Sequence, residues 1–167
     1  DFRAPERLFS LLLQAAGRAG RDAQHAAASE MWVQTWHPQH ALYAALRAHD
    51  YAAFAASQLR EREMAGLPPY FHLALLRAEA RTLDVARAFL QAASDAAAAS
   101  ESVAIYPPVP MSLQRVADVE RAQMLVESRS RPALQRFLAA WASQLHALRA
   151  AHRGLIRWAV DVDPLTI

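Results

Sequence analysis

One break in this chain constrains its fold more than any other feature. Gly66 and Leu67 run straight into the pair Pro68-Pro69. Consecutive prolines cannot continue a helix, because each lacks a backbone N–H and its ring blocks the preceding turn. The break divides the 167 residues into the end of one domain, residues 1–67, and a small second domain, residues 68–167. Ahead of it, Pro5 suits a first helical turn, and Leu8, Leu11, Leu12, Ala15 and Ala19 recur at helical spacing, which predicts a helix from about Pro5 to about Arg21. A polar, alanine-rich loop follows from Asp22 to Ser29. Met31-Trp32-Val33, within Glu30 to Trp36, is apolar and aromatic enough to predict a short buried strand. Gln39 to His49 and Asp50 to Ala65 predict two helices, the second capped by Asp50 and burying Tyr51, Phe54, Ala55 and Leu59.

Past the break the pattern changes. Phe71 to Ala80 reads as a strand, and Thr82 caps a long alanine-rich helix reaching about Ser100. Val103 to Ile105 is a strand leading into the turn Pro107-Pro108-Val109-Pro110, and Gln123 to Glu127 is another. Ser130 caps a helix from about Pro132 to Gly154 with Phe137, Leu138, Trp141, Leu145 and Leu148 on its apolar face, and Leu155 to Val162 closes as a strand. Strand, helix, strand, strand, helix, strand is the split βαβ (ferredoxin-like) order, an α+β fold with an antiparallel sheet and both helices on one face.

Composition excludes several classes. No apolar run is long enough to span a bilayer, so no membrane partner is expected. With no cysteine there is no disulfide and no thiolate metal site, which suits a reducing cytoplasm. All 18 positive side chains are arginine, and the formal net charge is only +2, so a basic surface must come from local clustering. The start, Asp1-Phe2-Arg3 without an initiator methionine, reads as a piece of a longer protein.

The sharpest constellation is Gln14-Ala15-Ala16-Gly17-Arg18-Ala19-Gly20-Arg21. On a helix, Gln14, Arg18 and Arg21 stand at i, i+4 and i+7 and share one stripe. Two glycines inside a helix each cost about 1 kcal/mol relative to alanine, and their use is to let a backbone or a phosphate approach closely. Two permanent guanidinium forks beside an amide suit the charge that spreads over a transferring phosphoryl group. Two arginines alone would be only a solvated helix face.

Gln-x-x-Gly-Arg-x-Gly-Arg is similar to motif VI of superfamily 2 helicases, whose arginines reach ATP held by the opposite motor lobe. The flanks narrow the resemblance. Asp1-Phe2-Arg3-Ala4-x-Glu6-Arg7, then Gln34-Thr35 with Pro38 and His40, then Leu59-x-Glu61-Arg62 leading to Leu67-Pro68-Pro69, then Pro108-x-Pro110, and last Trp158-x-x-Asp161-Val162-Asp163-Pro164 follow in order along the whole chain. Together they resemble the PriA family of primosomal replication-restart helicases. The resemblance implies that residues up to about Leu67 finish a RecA-like second motor lobe, and that the rest is a domain for DNA and partner binding. It implies an ATP-driven, Mg²⁺-dependent helicase of the bacterial cytoplasm that unwinds DNA 3′ to 5′. Such a helicase recognises stalled forks and single-stranded DNA, and works with single-stranded DNA-binding protein and primosome proteins. A zinc insertion is expected upstream of this segment, with no metal site inside it. Arg18 and Arg21 would be the arginine fingers, with Gln14 and Gly17 completing the ATP contact.

Where the family often carries a basic, aromatic run, this chain has Gln114 to Gln123. Arg115, Arg121 and Gln123 match as DNA- or partner-contacting positions, while Asp118 and Glu120 oppose a phosphate contact and no aromatic is present for stacking. The segment 111–123 is thus either a binding loop or an exposed hairpin. The alternative to a helicase segment is a non-catalytic adaptor that docks single-stranded DNA or a partner tail. His37-x-x-His40 lacks a third ligand and reads as a capping or surface pair. Asp161 and Asp163 point the same way on a strand and are expected to meet solvent or arginine. Trp141 and Trp158 fit apolar faces and are read as core.

Overall fold

The computed structural model describes residues 2–19 and 30–167. Backbone packing divides the chain into two compact units, Asp1–Ala65 and Gly66–Leu165.

The first unit holds three helices among its described residues: α1 (Ala4–Ala19), α2 (Ala41–Ala48) and α3 (Tyr51–Met64). Each start and stop has a local cause. The His40 ring accepts the Leu42 N–H at 3.1 Å and caps α2, which ends where His49 takes φ 53° and returns its own N–H to Ala45 and Leu46. Asp50 caps α3 through the Ala53 N–H at 2.8 Å. The core is small: Phe9, Leu42, Ala45, Leu46 and Phe54, with Phe9 stacked on Phe54 at 4.2 Å between centroids. Arg62 ties α3 to α1 through Glu6 at 2.6 Å.

Three expectations fail in this unit. Met31-Trp32-Val33 forms no strand, and Trp32 and Trp36 are almost fully exposed instead of buried. A strand needs a neighbour to take its hydrogen bonds, and the other regular elements described in this unit are all helices. In α3 the buried positions are Phe54 and Gln58, one turn apart, which leaves Tyr51 and Leu59 exposed. In α1 the anchor is Phe9, so Leu8 and Leu11 face outward although their spacing is helical.

The second unit runs β1 (His72–Ala80), α4 (Leu83–Ala96), β2 (Ala104–Ile105), β3 (Val109–Val116), β4 (Val119–Ser128), α5 (Arg131–Ala151) and β5 (Leu155–Val162). Its sheet has the order β2-β4-β1-β5, with every pairing antiparallel and β3 also on β4. β1 and β2 are kept apart by β4, which is the split βαβ arrangement. Alternation decides the faces. Ala74, Leu76, Ala78 and Ala80 of β1 and Ala122, Met124 and Val126 of β4 form one core with Phe89, Leu90 and Ala93 of α4 and Leu134, Trp141 and Leu145 of α5. Both helices therefore cover one face, and the alanines let them sit close. Thr82 and Ser130 cap α4 and α5, and Gly154, at φ 97°, ends the turn into β5.

One boundary differs from expectation. α4 stops at Ala96, short of Ser100, and the segment 111–123, either a binding loop or an exposed hairpin by sequence, is a hairpin of β3 and the first part of β4. β3 and β4 are joined through Ala117 and Asp118, both at positive φ (48° and 62°), with Val116 paired to Val119. That is a two-residue hairpin turn of the mirror-image type, built without the Asn-Gly signal that advertises it in a sequence.

Candidate functional site

The first candidate site lies on α1. Gln14, Gly17 and Arg18 are all exposed, and Gln14 donates to Ser10, one turn back, at 3.4 Å. Arg18 sits in the last turn. The carbonyl end of a helix favours a cation and repels an anion, so any anion held here is held by guanidinium charge and not by the helix dipole. A side-chain carbon built on Gly17 would meet nothing within 4 Å, so the backbone is open to close approach there. Among the described residues no ion pair occupies Arg18. Arg21 and Gly20 lie outside the described residues, so the stripe is seen from Gln14 to Arg18 only.

The second candidate set, Arg115, Arg121 and Gln123, is distributed along the hairpin. Arg115 stands at its tip, where its guanidinium pairs with Asp118 at 2.5 Å and approaches Glu120 at 3.8 Å. Its hydrogen bond to Asp118, then the charges of Asp118 and Glu120, raise its pKa above the ordinary arginine value. Arg121 is far less exposed. It lies on the helix-free face of the sheet opposite Glu79, 3.5 Å away, and Glu79 also takes Arg157 at 2.9 Å. Gln123 pairs across to Arg77 of β1 and Val109 of β3. Both arginines thus carry carboxylate partners, which an incoming phosphate would have to displace.

Composition and spacing did not single out Glu79, Arg157, Arg77 or Arg131, the partners in that charged row. Arg77 meets Asp161 at 3.0 Å across β1 and β5, and Arg131 at the start of α5 meets Asp163 at 3.1 Å. Both aspartates meet arginines as expected, but only Asp161 lies on β5; Asp163 follows its end at φ 54°. His40 acts as a helix cap. Trp141 is enclosed in the core with its indole N–H on the Ala93 carbonyl at 2.9 Å. Trp158 is half-buried against Phe89 and His146. Among the described residues no helix is long and apolar enough to cross a membrane.

The chain matches the family model of the primosomal protein N C-terminal domain over residues 63–165. It is 35% identical to the replication restart protein PriA of Haemophilus influenzae over 166 residues, 98% of this chain and 22% of that protein. It is 31% identical to the PriA protein of a Synechocystis species over 169 residues, 100% of this chain and 19% of that one. Against the PriA protein of Rickettsia conorii it is 29% identical over 168 residues, 98% and 24%. The chain spans between about a fifth and a quarter of the length of these curated relatives.

Proposed function

We infer the function of this chain from the family to which it belongs, that of the primosomal protein N C-terminal domain: it serves in the restart of replication. More specifically, we propose that it forms the C-terminal part of an ATP-dependent 3′ to 5′ DNA helicase that recognises stalled forks and assembles the primosome there. The observation that carries this reading is the Gln14-x-x-Gly17-Arg18-x-Gly20-Arg21 pattern on one side of the Pro68-Pro69 break and the family match beyond it.

In this reading Arg18 and Arg21 stabilise charge on the γ-phosphate of ATP, and Gln14 and Gly17 complete the contact. The open approach at Gly17 and the lack of a carboxylate on Arg18 among the described residues support that assignment. The 167 residues contain no lysine, and so no phosphate-loop lysine. ATP with Mg²⁺ would be cradled by a lobe formed from other sequence, as would the expected zinc ion. The segment from Tyr70 onward is the part proposed to face DNA, single-stranded DNA-binding protein and primosome proteins, in the bacterial cytoplasm.

The test uses the longer helicase that carries the nucleotide-binding lobe. Arg21→Ala, and to a lesser degree Arg18→Ala, should lower ATP turnover by about 10²-fold or more while fork binding stays close to wild type. Unchanged turnover in Arg21→Ala would end the arginine-finger assignment. The adaptor alternative predicts salt-sensitive binding of single-stranded DNA by the chain alone, weakened by replacing Arg115 or Arg121.

A further inference from the structure

Among the described residues of α1, Phe9 is the one buried side chain, seated in the small core of the first unit, with Leu12 partly buried beside it. Arg18 follows nine residues later, about 14 Å along the helix axis. A helix pinned at one point pivots there. A tilt of about 5° around Phe9 would carry Arg18 by about 1 Å, and a misplacement of that size at a reacting centre can cost about a hundredfold in rate.

A second pin lies on the other side of Phe9. Arg62, in the last turn of α3, has a side chain only 12% exposed. Its guanidinium meets the Glu6 carboxylate at 2.6 Å, donates to the Phe2 carbonyl at 3.4 Å, and lies over the Phe2 ring at 5.2 Å from the centroid. One rigid, permanently charged fork thus gathers a carboxylate, a carbonyl and a ring at the entry to α1. Glu6 is in the first helical turn, where the dipole favours a carboxylate, and Arg3 supports it at 3.7 Å. Phe9 stacks on Phe54 of the same α3, so both pins of α1 are set by one helix.

Stabilisation alone explains this contact poorly. Enclosed ion pairs add little over apolar side chains of the same volume, and their best-attested use is to fix register. A long apolar side chain at position 62 would fill the space but set no direction. We infer that Arg62 is a positioning residue for ATP hydrolysis, a role that rests on the arginine-finger reading of α1. Through Glu6 and Phe2 it fixes the axis of that helix, and so sets where the arginine end meets the γ-phosphate.

The test is made in the longer helicase. Arg62→Met keeps an unbranched stem in place and leaves Glu6, 37% exposed, beside Arg3. No charge is stranded in the interior, so thermal midpoint and fork affinity should stay near wild type. The kcat for ATP should fall about tenfold or more with KM within about twofold, the pattern of a contact that counts only in the transition state. Arg62→Lys keeps a cation for Glu6 and Phe2 and should return kcat to within about threefold of wild type. Glu6→Gln, which removes the charge from the more exposed partner, should lower kcat about threefold or more. Wild-type kcat in Arg62→Met or Glu6→Gln, beside an Arg21→Ala that loses turnover, overturns the positioning role and leaves the arginine fingers standing. A fall in kcat that Arg62→Lys does not reverse, or that comes with an equal loss of fork binding, overturns it too, since lost packing would do the same. Unchanged turnover in Arg21→Ala removes the arginine fingers and the role of Arg62 with them.

Discussion

Trp141 and Tyr106 show how differently a polar atom behaves inside and outside this core. The Trp141 ring is enclosed, and its N–H satisfies the Ala93 carbonyl near the end of α4 at 2.9 Å. Trp141→Phe removes both a donor and part of a ring, leaving a carbonyl unsatisfied beside a small cavity. It should cost about 2–4 kcal/mol, read as a lower urea midpoint at unchanged slope. Tyr106 lies at the surface and donates its phenol to Glu127 at 2.6 Å. That hydrogen bond first, then desolvation and the Glu127 charge, raise the phenol above its ordinary value of 10.0. A raised pKa in the folded state means the contact contributes fully below the unfolded value and is lost as pH climbs through the folded one. The ultraviolet difference titration of wild type minus Tyr106→Phe should therefore show one phenol ionising later than free tyrosine. A midpoint at the free value would contradict the bond.

At the scale of elements, the β3–β4 hairpin is the informative case. Its turn puts a non-glycine Ala117 at φ 48°, a conformation that asparagine tolerates better. Ala117→Asn should raise stability by about 0.5 kcal/mol, measured as a small increase in thermal midpoint; a loss would mean the turn geometry is wrong. Asp118→Asn keeps a residue suited to positive φ and releases Arg115. If the hairpin tip meets single-stranded DNA, affinity should rise and its salt dependence steepen. Unchanged affinity would leave the tip an exposed hairpin. The caps at Asp50, Thr82 and Ser130 were legible beforehand because each involves an N–H three residues away. β3 was not, since Ala-Asp carries no turn signal, and Pro107, Pro108 and Pro110 made its approach look like loop.

The whole molecule joins two units of unequal cores. The first gathers five buried apolar residues among those described, and the second holds a core of seventeen. Burial scales the stabilisation, so unfolding should proceed in two steps. Hydrogen exchange should show α1 to α3 opening before β1, β4 and α5. The isolated segment Gly66–Ile167 should keep a cooperative thermal transition. One transition with uniform protection would contradict this.

Sequence alone determined what depends on near neighbours: where the capped helices α3, α4 and α5 start, the alternation of the split βαβ strands, and the stripe shared by Gln14 and Arg18. Each is decided within a turn or two of backbone, where chemistry and spacing suffice. Tertiary structure decided which face of a helix is buried, choosing Phe9 over Leu8 and Leu11 and leaving Tyr51 outside. It left Trp32 and Trp36 without the burial that their composition advertises. It also set Glu79 between Arg121 and Arg157, and Arg77 against Asp161. Those partners lie tens of residues apart and meet only through strand register, which no local pattern encodes.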